Sequence, residues 1–181
     1  PSKGNLTRQR DYKTVTPTAS SVLQTFTYDS AGNKLSHVDG KGNRTEWDYD
    51  AQYNLYVIAE RAPKYFANGS LAADTRFVTT YTPNFVCGEV GSKVDWNGIT
   101  ETFTFDALCR PYGYSNSGTG KYINTRYENW GNPATQAVVT YEPLATGTGD
   151  VFTRSYYDGL GRKWREQTSG DTASGQARLT D

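Results

Sequence analysis

Histidine occurs once in this 181-residue chain, at His37, and methionine not at all. A single histidine confines any Ser-His-Asp or Cys-His chemistry to that residue. His37 lies in a strand-like stretch with no nucleophile motif beside it. It is expected to be an exposed strand residue, and the chain is not expected to be an enzyme. Cysteine is also scarce. Cys87 and Cys109 lack a C-x-x-C arrangement, which argues against zinc, and they can pair or stay free without fixing a redox compartment. Net charge is missing too: 19 acidic and 19 basic residues leave no footprint for nucleic acid or an anionic membrane. No apolar run is long enough for a transmembrane helix, and no signal peptide opens the chain. Beginning at Pro1 without a Met, it reads as a segment of a longer polypeptide.

Aliphatic side chains are few. Nine Leu, three Ile, eleven Val and seven Phe make under a fifth of the chain, a poverty also found in disordered proteins. Disordered chains, however, are charge-rich and aromatic-poor, whereas this one is neutral and holds 14 Tyr and 4 Trp. The aromatics must supply the buried area that aliphatics normally give. An ordered, polar, aromatic-rich fold is expected.

What the chain has in quantity is an acid and a glycine three residues apart. The pattern occurs at Asp29–Gly32, Asp39–Gly42, Asp95–Gly98 and Asp158–Gly161, with Glu128–Gly131 as a variant carrying the longer acid. Asp50–Tyr53 and Asp106–Cys109 keep the acid and lose the glycine. Asp is favoured at the first position of a type I turn and Gly at the fourth. The carboxylate accepts backbone N–H groups of the turn while Gly takes a positive φ. Turn copies are thus expected near 29–33, 39–43, 50–54, 95–98, 106–110, 128–132 and 158–162, with Gly4-Asn5-Leu6 as the tail of another. Asn or Arg follows, at Asn33, Asn43, Asn54, Arg110, Asn132 and Arg162. Asn tolerates left-handed geometry, which fits that place; Arg fits it less well.

Between the turns, apolar and polar residues alternate, as at Thr45, Trp47 and Tyr49 against Glu46 and Asp48. An all-β fold of consecutive antiparallel hairpins forming a curved sheet is expected, as one undivided segment over 1–181. Tyr28, Tyr49, Phe105, Tyr127 and Tyr157 each sit just before the acid and are expected to stack as a ladder across the sheet. Two stretches break the rhythm. In 62–92, "SLAADTRF" can carry a short helical turn and "RFVTTYT" another strand; 142–150 reads as a flexible loop.

Other candidate sites have ordinary explanations. Asp48 and Asp50 flank Tyr49 as a metal or acid–base pair would, but alternation accounts for the first and the turn for the second. "GKGNR" and "GTGKY" lack the P-loop spacing. Asp171-Thr172-Ala173 alone does not make a protease. Sequons begin at Asn5, Asn43 and Asn68, and the turn explains Asn43 better than glycosylation does. No cofactor or metal is expected.

Tyr-Asp-x-x-Gly-Asn at 28–33 and "YYDGLGRKW" at 156–164 resemble the YD repeat of the Rhs family. The same repeats occur in the B and C components of insecticidal toxin complexes, in bacterial wall-associated proteins and in teneurins. The resemblance implies a long β-sheet spiralling into a hollow shell around a C-terminal toxin polypeptide. Its partners would be the flanking repeats and the enclosed toxin, in a secreted or cell-surface and bacterial setting. The self-cleaving motif of Rhs toxins, which lies downstream of the repeats, is absent here. A rival reading is an extracellular adhesin or carbohydrate-binding module on the same hairpins, since exposed aromatics beside Asp and Asn suit a sugar.

Overall fold

The computed structural model describes residues 4–12, 21–66, 75–144, 149–169 and 177–180. The chain, expected as one segment, divides into two compact units, Pro1–Ile99 and Thr100–Asp181. In the first unit the strands are β1 (Arg8–Tyr12), β2 (Ser21–Tyr28), β3 (Lys34–Val38), β4 (Arg44–Tyr49), β5 (Val57–Arg61), β6 (Val78–Asn84) and β7 (Glu89–Val94). Each pairs antiparallel with the next. The second unit repeats the plan with β8 (Thr100–Phe105), β9 (Pro111–Asn116), β10 (Tyr122–Glu128), β11 (Ala137–Pro143), β12 (Asp150–Tyr157), β13 (Lys163–Ser169) and β14 (Ala177–Thr180). The fold is all-β and made of consecutive antiparallel hairpins.

The stretch 62–92 is more regular than expected. It holds β6, a tight turn and the start of β7, besides two short 3-10 turns at Pro63–Phe66 and Thr75–Phe77. Most of "SLAADTRF" lies outside the described residues. In 142–150, β11 runs on to Pro143 and β12 begins at Asp150, with the Leu144 N–H donating to the Gly149 carbonyl at 3.0 Å; residues 145–148 lie outside the described set.

Neither unit has a second layer among the described residues, so neither has a thick core. Among the described residues Ala137 and Val139 are the buried hydrophobic ones. Cross-strand pairs take over, each worth about 0.2–1 kcal/mol. On one face of the first unit Phe26 stacks flat on His37, with ring centroids 4.7 Å apart, and His37 Nε2 lies 3.0 Å from Gln24 Oε1. His37 is therefore half-buried and engaged rather than exposed. The opposite face carries the row Thr27, Ser36, Glu46 and Arg61 across four strands. There Arg61 Nη1 donates to Asp48 at 2.8 Å, and Arg44 pairs with Glu46. In the second unit Phe103 meets Tyr114, Tyr141 meets Phe152, and Arg126 lies 5.1 Å over the Tyr141 ring.

One irregularity recurs. Pairing slips by one residue between Thr27 and Tyr28, Asp48 and Tyr49, Thr82 and Pro83, Thr104 and Phe105, and Tyr156 and Tyr157. The extra residue sits on the returning strand: Leu35, Ile58, Gly91, Tyr112 or Trp164. These bulges all lie at the end of β2, β4, β6, β8 or β12, hence at one end of each unit's sheet. Hairpins closing at the other end, such as β3–β4 and β9–β10, keep an unbroken register. A bulge bends the strand and tightens its local twist. An aromatic before the acid thus accompanies a bulge at Tyr28, Tyr49, Phe105 and Tyr157, whereas the β10–β11 pairing that follows Tyr127 is unbroken.

Candidate functional site

The turns are built around a carboxylate. At Asp29, Oδ1 accepts the N–H groups of Gly32 and Asn33 at 2.7 and 2.8 Å, and Oδ2 accepts Asn33 Nδ2 at 3.0 Å. At Asp39, Oδ1 takes the N–H groups of Lys41 and Asn43 and Oδ2 takes Asn43 Nδ2, all at 2.8 Å. At Asp106 and Asp158 the second oxygen accepts Nε of Arg110 at 2.7 Å and of Arg162 at 2.8 Å. This corrects the expected role of the residue after the glycine. Among the described non-glycine residues φ is positive at Asn54, Cys109 and Asn129, and not at Asn33 or Asn43. Asn and Arg alternate there because each aims a planar N–H donor at the free carboxylate oxygen. Asp95 is followed by Ile99, which offers only its backbone N–H, at 2.9 Å.

The glycines hold the left-handed place: φ is 102° at Gly32, 85° at Gly42, 78° at Gly98, 93° at Gly131 and 76° at Gly161. Cys109 adopts φ 59° in the same place, and its N–H bonds to the Asp106 carbonyl at 2.9 Å, so that turn keeps its shape without glycine. Cys109 and Cys87 are both disulfide-bonded. The Asp50 turn solves the problem differently. It is longer, and Asn54 rather than Tyr53 is left-handed, at φ 52°. Asp50 is 5% exposed and accepts four backbone N–H groups, from Gln52, Tyr53, Leu55 and Tyr56. Burial alone would raise its pKa, but these donors outweigh it and hold the carboxyl at about 2. Asp29 is likewise held at about 2: burial opposes, and the donors Asn54, Asn33 and Gly32 prevail.

The 128–132 copy is not a turn of this kind. The Glu128 carboxylate leaves the loop and pairs with Arg154 at 3.1 Å. Buried Gln136 replaces it, accepting the Gly131 N–H at 3.1 Å and donating to the Asp158 carbonyl at 2.7 Å. Two further turns escaped the sequence reading. Asn84 Oδ1 accepts the N–H groups of Val86 and Cys87, and Asn116 Oδ1 those of Gly118 and Thr119. Gly88 at φ 72° and Gly120 at φ 68° close them. Their signal is Asn with Gly four residues on.

At the bulged end of each unit, neighbouring turns are tied to each other. In the first unit Asn54 Nδ2 donates to Asp29 Oδ2 at 2.7 Å, and Asn33 Nδ2 to the Asn54 carbonyl at 2.6 Å. Tyr53 and Tyr56 then meet Phe85 of the next turn edge-on, at 5.3 and 5.5 Å. In the second unit the Arg110 guanidinium lies 3.8 Å over the Tyr127 ring and 5.4 Å over Trp130. Gln136 ties that loop to the 158–161 turn.

The expected ladder is replaced by a different use of the tyrosines. The ring contacts among the described residues do not join Tyr28, Tyr49, Phe105, Tyr127 and Tyr157 to one another. Tyr28, Tyr49 and Tyr127 instead donate their hydroxyls to the carbonyls of Leu6, Lys34 and Pro111, at 2.9, 3.1 and 3.0 Å. For Tyr49 and Tyr127, the acceptor is the first residue of the neighbouring strand. Tyr127 also meets Trp130 edge-on at 6.0 Å.

Asp48 and Asp50 do not act together, since Arg61 takes the first and backbone N–H groups the second. No group of three or more His, Cys, Asp or Glu side chains among the described residues could hold a metal ion. No helix among them is long and apolar enough to cross a membrane. No protein-family model and no curated protein matches this chain.

Proposed function

We propose that this chain is a non-enzymatic wall segment of a YD-repeat shell of the Rhs type, which encloses and helps deliver a C-terminal toxin polypeptide from a secreted or cell-surface protein. The observation that carries the reading is the tying of turn to turn at one end of each unit's sheet. A wall around a cargo must keep its strand spacing while both faces stay polar and no second layer covers it. Side-chain ties between successive turns meet that need: Asn54 with Asp29, Arg110 with Tyr127, and Gln136 with the Asp158 carbonyl. Function is containment, with flanking repeats continuing the sheet.

Limited proteolysis of a full-length parent protein tests this. The C-terminal polypeptide should resist cleavage in the intact protein and become sensitive when residues 26–169 are deleted. Equal sensitivity of the two proteins would overturn the reading.

A further inference from the structure

Five large hydrophobic side chains stand exposed in the second unit among the described residues, and all five lie at its bulged end. Leu160, Leu108 and Trp130 are 79%, 72% and 60% exposed, and they occupy the turns that follow β12, β8 and β10. Tyr112 and Trp164 are the extra residues of the two bulges, near the starts of β9 and β13. The described turn at the opposite end is polar, with Ser117, Gly118, Thr119 and Gly120 between Asn116 and Lys121. A single exposed apolar side chain is ordinary, but a rim of them at one end marks an interaction surface.

The rim can leave water without stranding its polar groups. The Leu108 N–H donates to Asp106 and the Leu160 N–H to Asp158, each at 2.9 Å. The same two carboxylates hold the guanidinium groups of Arg110 and Arg162, and Lys163 meets Glu166 at 2.8 Å. These three bases are thus each matched by an acid. Trp130 meets Tyr127 edge-on and lies 5.4 Å from Arg110; indole and phenol rings are the side chains enriched at the level of lipid headgroups. The ties from Arg110 to Tyr127 and from Gln136 to the Asp158 carbonyl fix the tips relative to one another. The turns follow every second strand, so neighbouring tips stand about 10 Å apart.

From this rim we infer that the second unit docks on the surface of a zwitterionic lipid bilayer, with Leu108, Trp130 and Leu160 sunk to the boundary between headgroups and acyl chains. Separate apolar tips with polar turns between them would each require a pocket of their own in a rigid protein partner. A fluid acyl layer closes around all three, and the burial of their apolar surface drives the contact. The matched charges select neutral headgroups over anionic ones, since Arg110, Arg162 and Lys163 already hold carboxylates. This inference stands apart from the containment reading, because it rests on one rim of this chain and needs no cargo.

Flotation of the 181-residue chain with phosphatidylcholine vesicles provides the test, at on the order of 1 mM lipid, where weak anchors partition. The chain should float with the vesicles, and the bound fraction should change less than about twofold between about 0.1 M and about 0.5 M salt, because apolar burial is not screened. Leu108→Ser combined with Leu160→Ser should lower partitioning at least about tenfold, the effect of removing exposed leucines from an apolar contact, with an unchanged melting curve. Bromine on the acyl chains should quench tryptophan fluorescence, and Trp130→Phe should remove most of that quenching. Leu6→Ser, at an exposed leucine of the first unit, should leave flotation intact. Absence of flotation, or flotation that survives the double leucine variant, would overturn the inference. So would flotation confined to phosphatidylserine vesicles and lost in salt, which would show a basic patch at work. Self-association that the double variant abolishes, without vesicle binding by the parent chain, would make a second copy the occupant and overturn it as well.

Discussion

Single positions in the turns separate backbone strain from packing. A Cβ built at Gly42, Gly98 or Gly161 meets nothing within 4 Å, so the cost of a side chain there is the left-handed backbone alone. Gly42→Val should therefore cost about 1–2 kcal/mol, read from denaturant midpoints, and full tolerance would remove the turn from the account. Tyr53→Gly should not stabilise, because Tyr53 escapes positive φ by passing it to Asn54. It should instead lose about 0.5 kcal/mol as the edge contact with Phe85 disappears. A gain in stability would contradict the longer turn. Asp29 and Asp50 set the pH response. Their folded pKa of about 2 lies below the ordinary 3.8. Their contribution is fully present above 3.8 and is lost as pH falls through about 2. Asp50→Asn should lower stability at neutral pH and flatten its decline across that acid window. An unchanged acid profile would show that the carboxylate does not hold the loop.

At the scale of elements, the parts legible in the sequence were those whose cause is local. Asp and Gly three apart specify a turn within five residues, and strand alternation needs only its own neighbours. The bulges were only partly legible because they are a relation between two strands: an aromatic before the acid accompanies four of the five, but the extra residues Leu35, Ile58, Gly91, Tyr112 and Trp164 share no chemistry. The ties between turns were hidden by distance along the chain, 25 residues from Asp29 to Asn54 and 22 from Gln136 to Asp158. Glu128 misled because its spacing to Gly131 matched the motif while its extra methylene and the nearby Arg154 drew it away. The Asn84 and Asn116 turns were missed because a neutral amide does the work of an acid. Arg110 joins both levels: it satisfies Asp106 and covers Tyr127. Arg110→Asn should keep the turn and lose the stacking, with a cost of about 1 kcal/mol in thermal melts. A cost as large as that of Arg110→Ala would mean that the turn bond is not recovered by Asn.

Across the whole molecule, sheets without a covering layer must be held by their edges, their turns and their cross-strand pairs. Among the described residues of the first unit β1 pairs on one side only, with β2, and its residues are exposed. An open edge invites another strand. The chain should therefore associate as its concentration rises, observable by sedimentation velocity, and proline at Arg10 should suppress this by removing an N–H that faces away from β2. A strictly monomeric chain at high concentration would favour a self-sufficient module over a wall segment.

Site-resolved amide exchange tests most directly whether tied turns hold these sheets. In a protein held by a central core, protection peaks at mid-strand and turns open first. Here the amides of Asn33 and Tyr56 in the first unit, and of Arg110 in the second, bond to carboxylates at the tied end. They should exchange as slowly as the mid-strand amides. The amides of Asn43 and Ile99 bond to equally placed carboxylates in turns of the first unit that carry no such ties among the described residues, and they should exchange faster, through local opening. Equal exchange in both sets of turns would contradict the account.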